Sequence, residues 1–129
     1  MNNIVLDASA VLALINNEKG SDLVLASLSN AIICSVNLSE VVSKLTDRGL
    51  IETEIRADLD SFGFRVIDFD RELAYRSGLL RDTTKAFGLS FGDRACLAVG
   101  QWLNCEILTS DKAWANLNFP VPSQLFDNI

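Results

Sequence analysis

The sequence predicts an α/β fold in which a parallel sheet is covered by helices on both faces. Short apolar runs of strand length alternate with longer segments of helical period along the whole chain, the mark of strands joined by helical crossovers. An apolar fraction of 49% in 129 residues supports a sizeable core and a single domain spanning 1–129.

The elements read in order as follows. Ile4-Val5-Leu6 is an apolar run that stops abruptly at Asp7, as a buried strand does. A helix follows over residues 9–17, closed by the polar stretch 16–20. Ser21 or Asp22 caps the next helix, which runs to about residue 28. Ala31-Ile32-Ile33-Cys34 is the second strand. Beyond it Leu38, Val41, Val42 and Leu45 recur at i, i+3, i+4 and i+7, an amphipathic helix that Gly49 terminates. Residues 51–62 form another helix, ended by Gly63, and residues 65–69 a third strand. Asp70 caps a long helix to about residue 87, with Gly88 just beyond it. Ser90 opens a helix with Ala95, Leu97, Ala98, Val99, Trp102 and Leu103 on its apolar side. Glu106-Ile107-Leu108-Thr109 is a fourth strand, followed by a short helix from Ser110. Phe119-Pro120-Val121-Pro122 offers only a short edge strand, because proline cannot donate to a ladder.

Composition narrows the function. Net charge is −6, which argues against gripping nucleic acid by bulk electrostatics but leaves room for a substrate reached through a bound metal and a few local cations. Cys34, Cys96 and Cys105 contain no C-x-x-C pair, and there is no histidine to complete a zinc set. Cys34 and Cys96 lie in apolar runs as small core residues, which suits a reducing cytoplasm. The apolar stretch 8–15 follows an acid where an export signal carries cations, and it is too short to span a bilayer.

Four carboxylates, Asp7, Glu40, Asp93 and Asp111, each stand where a helix begins. Each has a structural alternative. Asp7 and Asp111 can cap the helices that follow them, and Asn37-Leu38-Ser39-Glu40 and Ser90-Phe91-Gly92-Asp93 both have capping-box spacing. As a set they say more, because segment ends of this kind collect along one edge of an α/β sheet, where ligands bind. Periodicity alone does not place Asp93 there, since a helix and a loop separate it from any strand. Gathered acids repel one another unless a cation sits among them, and oxygen-only ligands favour magnesium or manganese. Without histidine, neither an imidazole base nor a Ser-His-Asp triad is available, so hydrolysis would draw its nucleophile from metal-activated water.

Four stretches carry a family resemblance. Ile4-Val5-Leu6-Asp7-Ala8-Ser9-Ala10 resembles the opening of PIN-domain ribonucleases, and Asn37-Leu38-Ser39-Glu40-Val41 their second acidic motif. Leu89-Ser90-Phe91-Gly92-Asp93-Arg94-Ala95-Cys96-Leu97-Ala98 is similar to the third, in the form found in VapC-type toxins of toxin–antitoxin pairs, and Leu108-Thr109-Ser110-Asp111 is similar to the fourth. The resemblance covers essentially the whole chain, and no acid of the pattern is missing. It implies a PIN-like three-layer α/β/α architecture with about five parallel strands, and it places Asp93 beside the other acids. It further implies a Mg2+- or Mn2+-dependent endoribonuclease, a homodimer inhibited by a cognate antitoxin.

On this reading Asp7, Glu40 and Asp93 hold the metal, directly or through water, and Asp111 completes the pocket or helps a second ion. Ser9 and Ser110 are hydroxyls that orient carboxylates or water, or else simply cap turns. Lys44 and Arg48 continue from Glu40 at i+4 and i+8 as phosphate contacts, against the plainer reading of an ion pair with Glu40. Lys112 is a further phosphate contact, and Trp114 either stacks a base or fills a core or interface. An antitoxin arginine placed among the acids would satisfy their charge and block the site. The principal rival is a non-catalytic partner-binding module whose acids are only helix caps. Aspartyl-phosphate chemistry fits poorly: Ser9 stands where a haloacid-dehalogenase-like site wants a second acid, and the paired acids of a receiver domain are absent.

Overall fold

The computed structural model describes residues 2–110 and the backbone of residues 123–125. Strands β1 (Ile4–Leu6), β2 (Ala31–Cys34), β3 (Arg65–Ile67), β4 (Glu106–Thr109) and β5 (Ser123–Leu125) form one sheet in the order β3-β2-β1-β4-β5. Every pairing is parallel, as the alternation of strands and helices requires. Helices α1 (Ala8–Ile15), α2 (Ser21–Ser27), α3 (Ser35–Asp47), α4 (Glu52–Ser61), α5 (Arg71–Leu79), α6 (Arg81–Thr84) and α7 (Phe91–Leu103) supply the crossovers.

The two-residue period of the strands divides the core between two faces. Val5 pairs in register with Ile32 and Ile107, and these pack with Leu73, Leu80 and the inward side of α7. Leu6 pairs with Ile33 and Leu108, and these pack with Ala10, Val11, Val24, Val41, Leu45, Ile55 and Leu59 from α1 to α4. All six strand residues are at most 1% exposed, and burying a side chain of this size contributes about 1.5–3 kcal/mol. Helix α7 lies close against β4: a Cβ on Gly100 would come within 2.7 Å of Ile107 Cγ1. No described helix is long and apolar enough to cross a membrane.

Several expected boundaries move. The long helix expected to about residue 87 is broken after α5, with α6 and a 3-10 turn (Lys85–Phe87) completing the segment. Gly78 weakens the helix there, and the hydroxyls of Thr83 and Thr84 donate to the Leu80 carbonyl at 3.1 and 2.8 Å, back-bonding that bends helices. Ser21 is the first residue of α2 rather than its cap; Gly20 occupies the cap position with φ +88° and no side-chain bond. Trp102, expected on the apolar side of α7, is 42% exposed near the helix end. The edge strand expected at 119–122 lies outside the described residues, and the strand that pairs with β4 is Ser123–Leu125, beyond both prolines.

Candidate active site

The strand order determines where a ligand crevice opens. From β1 the chain moves outward through β2 to β3, then returns to the other side of β1 as β4 and β5. Connections therefore diverge above the carboxyl ends of β1 and β4, the position at which open α/β sheets bind ligands. Asp7 is the first residue after β1 and Ser110 the first after β4.

Asp7 is held from both strands. Its Oδ1 accepts from Ser9 Oγ at 2.5 Å and from the Ala10 amide at 3.1 Å, and its Oδ2 accepts from Thr109 Oγ1. Ser9 Oγ in turn accepts from the Ser110 amide at 3.0 Å, so Ser9 and Ser110 both belong to the network that joins the two strand ends. The capping role is real as well, since the Ala10 contact makes Asp7 the N-cap of α1. At 4% exposure, burial pushes the Asp7 carboxyl up from 3.8 to about 6. The donors on Ser9, Thr109 and Ala10 pull it down, and the charge of Asp93 pushes it further up.

Asp93 sits in the first turn of α7 in a complete capping box. Ser90 Oγ accepts from the Asp93 amide at 3.2 Å, while Asp93 Oδ2 accepts from the Ser90 amide at 2.9 Å. One turn further on lies Cys96, whose buried thiol is pushed well above its ordinary range, chiefly by burial. The charges of Asp7, Asp93 and Glu40 add to that effect, so all three acids lie in electrostatic reach of one buried point on α7.

Glu40 is placed differently. The expected capping box at 37–40 does not form: α3 begins at Ser35 with Cys34 as its cap residue, which puts Asn37 inside the helix. Asn37 turns inward instead, its Nδ2 donating to Glu40 Oε1 at 2.8 Å and to the Gly92 carbonyl at 3.0 Å. The Glu40 carboxylate rests on the backbone of α7, where a Cβ on Gly92 would stand 2.6 Å from Glu40 Cδ. Among the described residues Glu40 therefore caps no helix.

Two participants were not anticipated. Thr109 carried a weak signal, a polar residue ending an apolar strand. Asn37 gave a misleading one, because its partner on Gly92 is 55 positions away in sequence. Of the cations, Arg48 donates to Asn16 Oδ1, while Lys44 is exposed on α3 and forms no ion pair with Glu40. Asp111, Lys112, Trp114 and the short helix expected from Ser110 lie outside the described residues.

Among the described residues, no three carboxylate or thiol side chains converge closely enough to form a metal cage by themselves. The donors available are all oxygen, which fits a hard cation that keeps most of its water and takes one or two carboxylates, as magnesium does. Asp7 supplies the physical argument for a cation, since burial and a neighbouring carboxylate both disfavour its charge and a positive ion reverses that balance.

Comparison with curated protein sequences gives no match. Among solved structures, the DNA-bound VapBC of Salmonella typhimurium superimposes with a TM-score of 0.74 at 16% identity, over 96% of this chain and 98% of that one. VapBC2 of Rickettsia felis, bound to a promoter DNA fragment, gives 0.72 at 17% identity over 94% and 96%. A toxin–antitoxin complex from Klebsiella pneumoniae gives 0.69 at 20% identity over 90% and 93%. At these identities the likeness is one of fold. The sequence model of the PIN domain matches residues 4–120, and the chain belongs to the PIN domain family.

Proposed function

We propose that this chain is a metal-dependent endoribonuclease, the toxin of a cytoplasmic toxin–antitoxin pair. What supports the reading is the place of Asp7 at the divergence of β1 and β4, with Asp93 and Glu40 on or against the first turn of α7 and within electrostatic reach of the same buried thiol. Membership of a family of nucleases supports the chemistry. The toxin–antitoxin assemblies among the similar structures support a cognate antitoxin as partner.

In this proposal Asp7, Glu40 and Asp93 hold Mg2+ or Mn2+, directly or through water, and Asp111 completes the set. The bound ion would lower the pKa of water and stabilise charge building on phosphate oxygens. The chain's own residues do the rest. Ser9 and Thr109 fix the orientation of Asp7, and the Ser110 amide fixes Ser9. Lys44, Lys112 and Trp114 contact the RNA, Arg48 being engaged instead with Asn16, and the active form is a homodimer.

Cleavage of RNA by the purified protein in Mg2+, Mn2+ or EDTA tests this reading. Cleavage that persists undiminished in EDTA would overturn it. A second reading, a non-catalytic partner-binding module, draws on the caps that Asp7 and Asp93 do form. It leaves Glu40 without a purpose, since among the described residues that carboxylate satisfies no backbone amide and is instead held by a side chain.

A further inference from the structure

Asn37 is 1% exposed inside α3, a position where an apolar side chain would ordinarily pack. Both of its known partners, Glu40 Oε1 and the Gly92 carbonyl, are acceptors only, so the amide nitrogen must face them and the orientation of the side chain is fixed. That leaves Oδ1 buried with no donor among the described residues. A helix does not gain by leaving an acceptor unpaired, so the two bonds from Nδ2 are the reason for this residue type. One of them holds the Glu40 carboxylate, and the other ties α3 to the residue immediately before Asp93.

Gly92 closes the arrangement from the other side. Its missing Cβ is the space that the Glu40 carboxylate occupies, 2.6 Å from Cδ to where that carbon would stand. The carboxylate is thus confined between an amide donor and a bare stretch of helix backbone.

We propose that Asn37 is a positioning residue of the acidic centre: together with Gly92 it locks the Glu40 carboxylate at a fixed place relative to Asp93. This rests on the reading of Asp7, Glu40 and Asp93 as a metal centre. Asn37 acts through Glu40, and its effect must therefore vanish when the Glu40 carboxylate is removed.

The test is Mn2+ affinity of the full chain, read from the electron paramagnetic resonance signal of free Mn2+. Asn37→Ala and Gly92→Ala are each expected to weaken binding by about 10–100-fold, the range for loss of a partner that orients a ligand. In a Glu40→Gln background, adding Asn37→Ala is expected to change affinity by less than about twofold, the signature of two residues acting as one unit. Wild-type affinity in Asn37→Ala, or an equal loss with and without the Glu40 carboxylate, overturns the proposal. If Asn37→Ala does not fold, the near-isosteric Asn37→Leu, which fills the same space and deletes the amide donor, decides; wild-type affinity there overturns it equally. A wild-type chain that binds no Mn2+, with Asp7→Asn indistinguishable from it, removes the metal centre and this proposal together. Loss of binding in Asp7→Asn with none in Asn37→Ala removes the proposal alone.

Discussion

The hydroxyl of Thr109, at the end of β4, donates to Oδ2 of Asp7, at the end of β1, so the two central strands are joined through a buried acid. Both residues are almost wholly enclosed, Thr109 at 0% and Asp7 at 4% exposure. Removing one partner of such a bond strands the other, which costs about 1–3 kcal/mol and more for a charged group. Thr109→Val keeps the shape and deletes the donor. It is expected to lower stability by about that amount near neutral pH in EDTA, measured by urea unfolding, while Thr109→Ser keeps most of the bond.

Asp7 also gives the metal-free protein a pH dependence whose sign follows from the shift. Its carboxyl holds a proton more tightly in the folded chain, at about 6, than in the unfolded chain, at 3.8. Its contribution to stability is therefore complete below about pH 4 and is lost as pH rises through about 6. The difference amounts to something on the order of 3 kcal/mol across that window. Thermal unfolding in EDTA should show wild type losing stability from pH 4 to pH 7 more steeply than Asp7→Asn. Added Mg2+ should restore stability at pH 7 in wild type and not in the variant.

Lys44 and Arg48 were alike in sequence and differ in the structure. Arg48 is engaged with Asn16 at the end of α1, whereas Lys44 is exposed on α3 one turn beyond Glu40, with no ion pair to that acid. A cation that neutralises one phosphate of single-stranded RNA contributes about 0.7 to the slope of log affinity against log salt. Lys44→Ala is expected to reduce the slope for a non-cleaved RNA by about that amount, with Arg48→Ala leaving it nearly unchanged. Binding isotherms over a range of salt concentrations check both.

Local pattern was sufficient for most of the scaffold. The runs at Ile4–Leu6, Ala31–Cys34 and Glu106–Thr109 are apolar, short and sharply ended, and each is a strand of the sheet. Helix α7 was legible because Ser90 and Asp93 are both a local signal and the actual cap. Where reading failed, the deciding contact was remote or competed with the helix. Asn37 has the look of a cap and is an interior residue, because Gly92 on another helix claims it. The break after α5 depends on hydroxyls of Thr83 and Thr84 choosing the Leu80 carbonyl over solvent. That the charge of Asp93 reaches Asp7 depends on packing between α7 and β1, which no local pattern encodes.

Capping and catalysis make opposite demands at Asp93, which allows them to be separated. Asn at position 93 can still accept from the Ser90 amide, and Ser90 Oγ still accepts from the backbone amide of that residue, so Asp93→Asn keeps the capping box. Ser90→Ala does the reverse: it deletes a cap worth about 1 kcal/mol and leaves the carboxylate in place. If Asp93 serves only α7, Ser90→Ala is the harmful change and Asp93→Asn is silent. If it serves a metal, Asp93→Asn should leave stability within about 0.5 kcal/mol and reduce RNA cleavage by at least about 100-fold, the upper end of what even an outer-shell partner costs. Ser90→Ala, made and assayed beside it, should lose stability and retain most of its cleavage. The two variants together, read by unfolding and by RNA cleavage, separate a helix cap from a catalytic acid at one and the same residue.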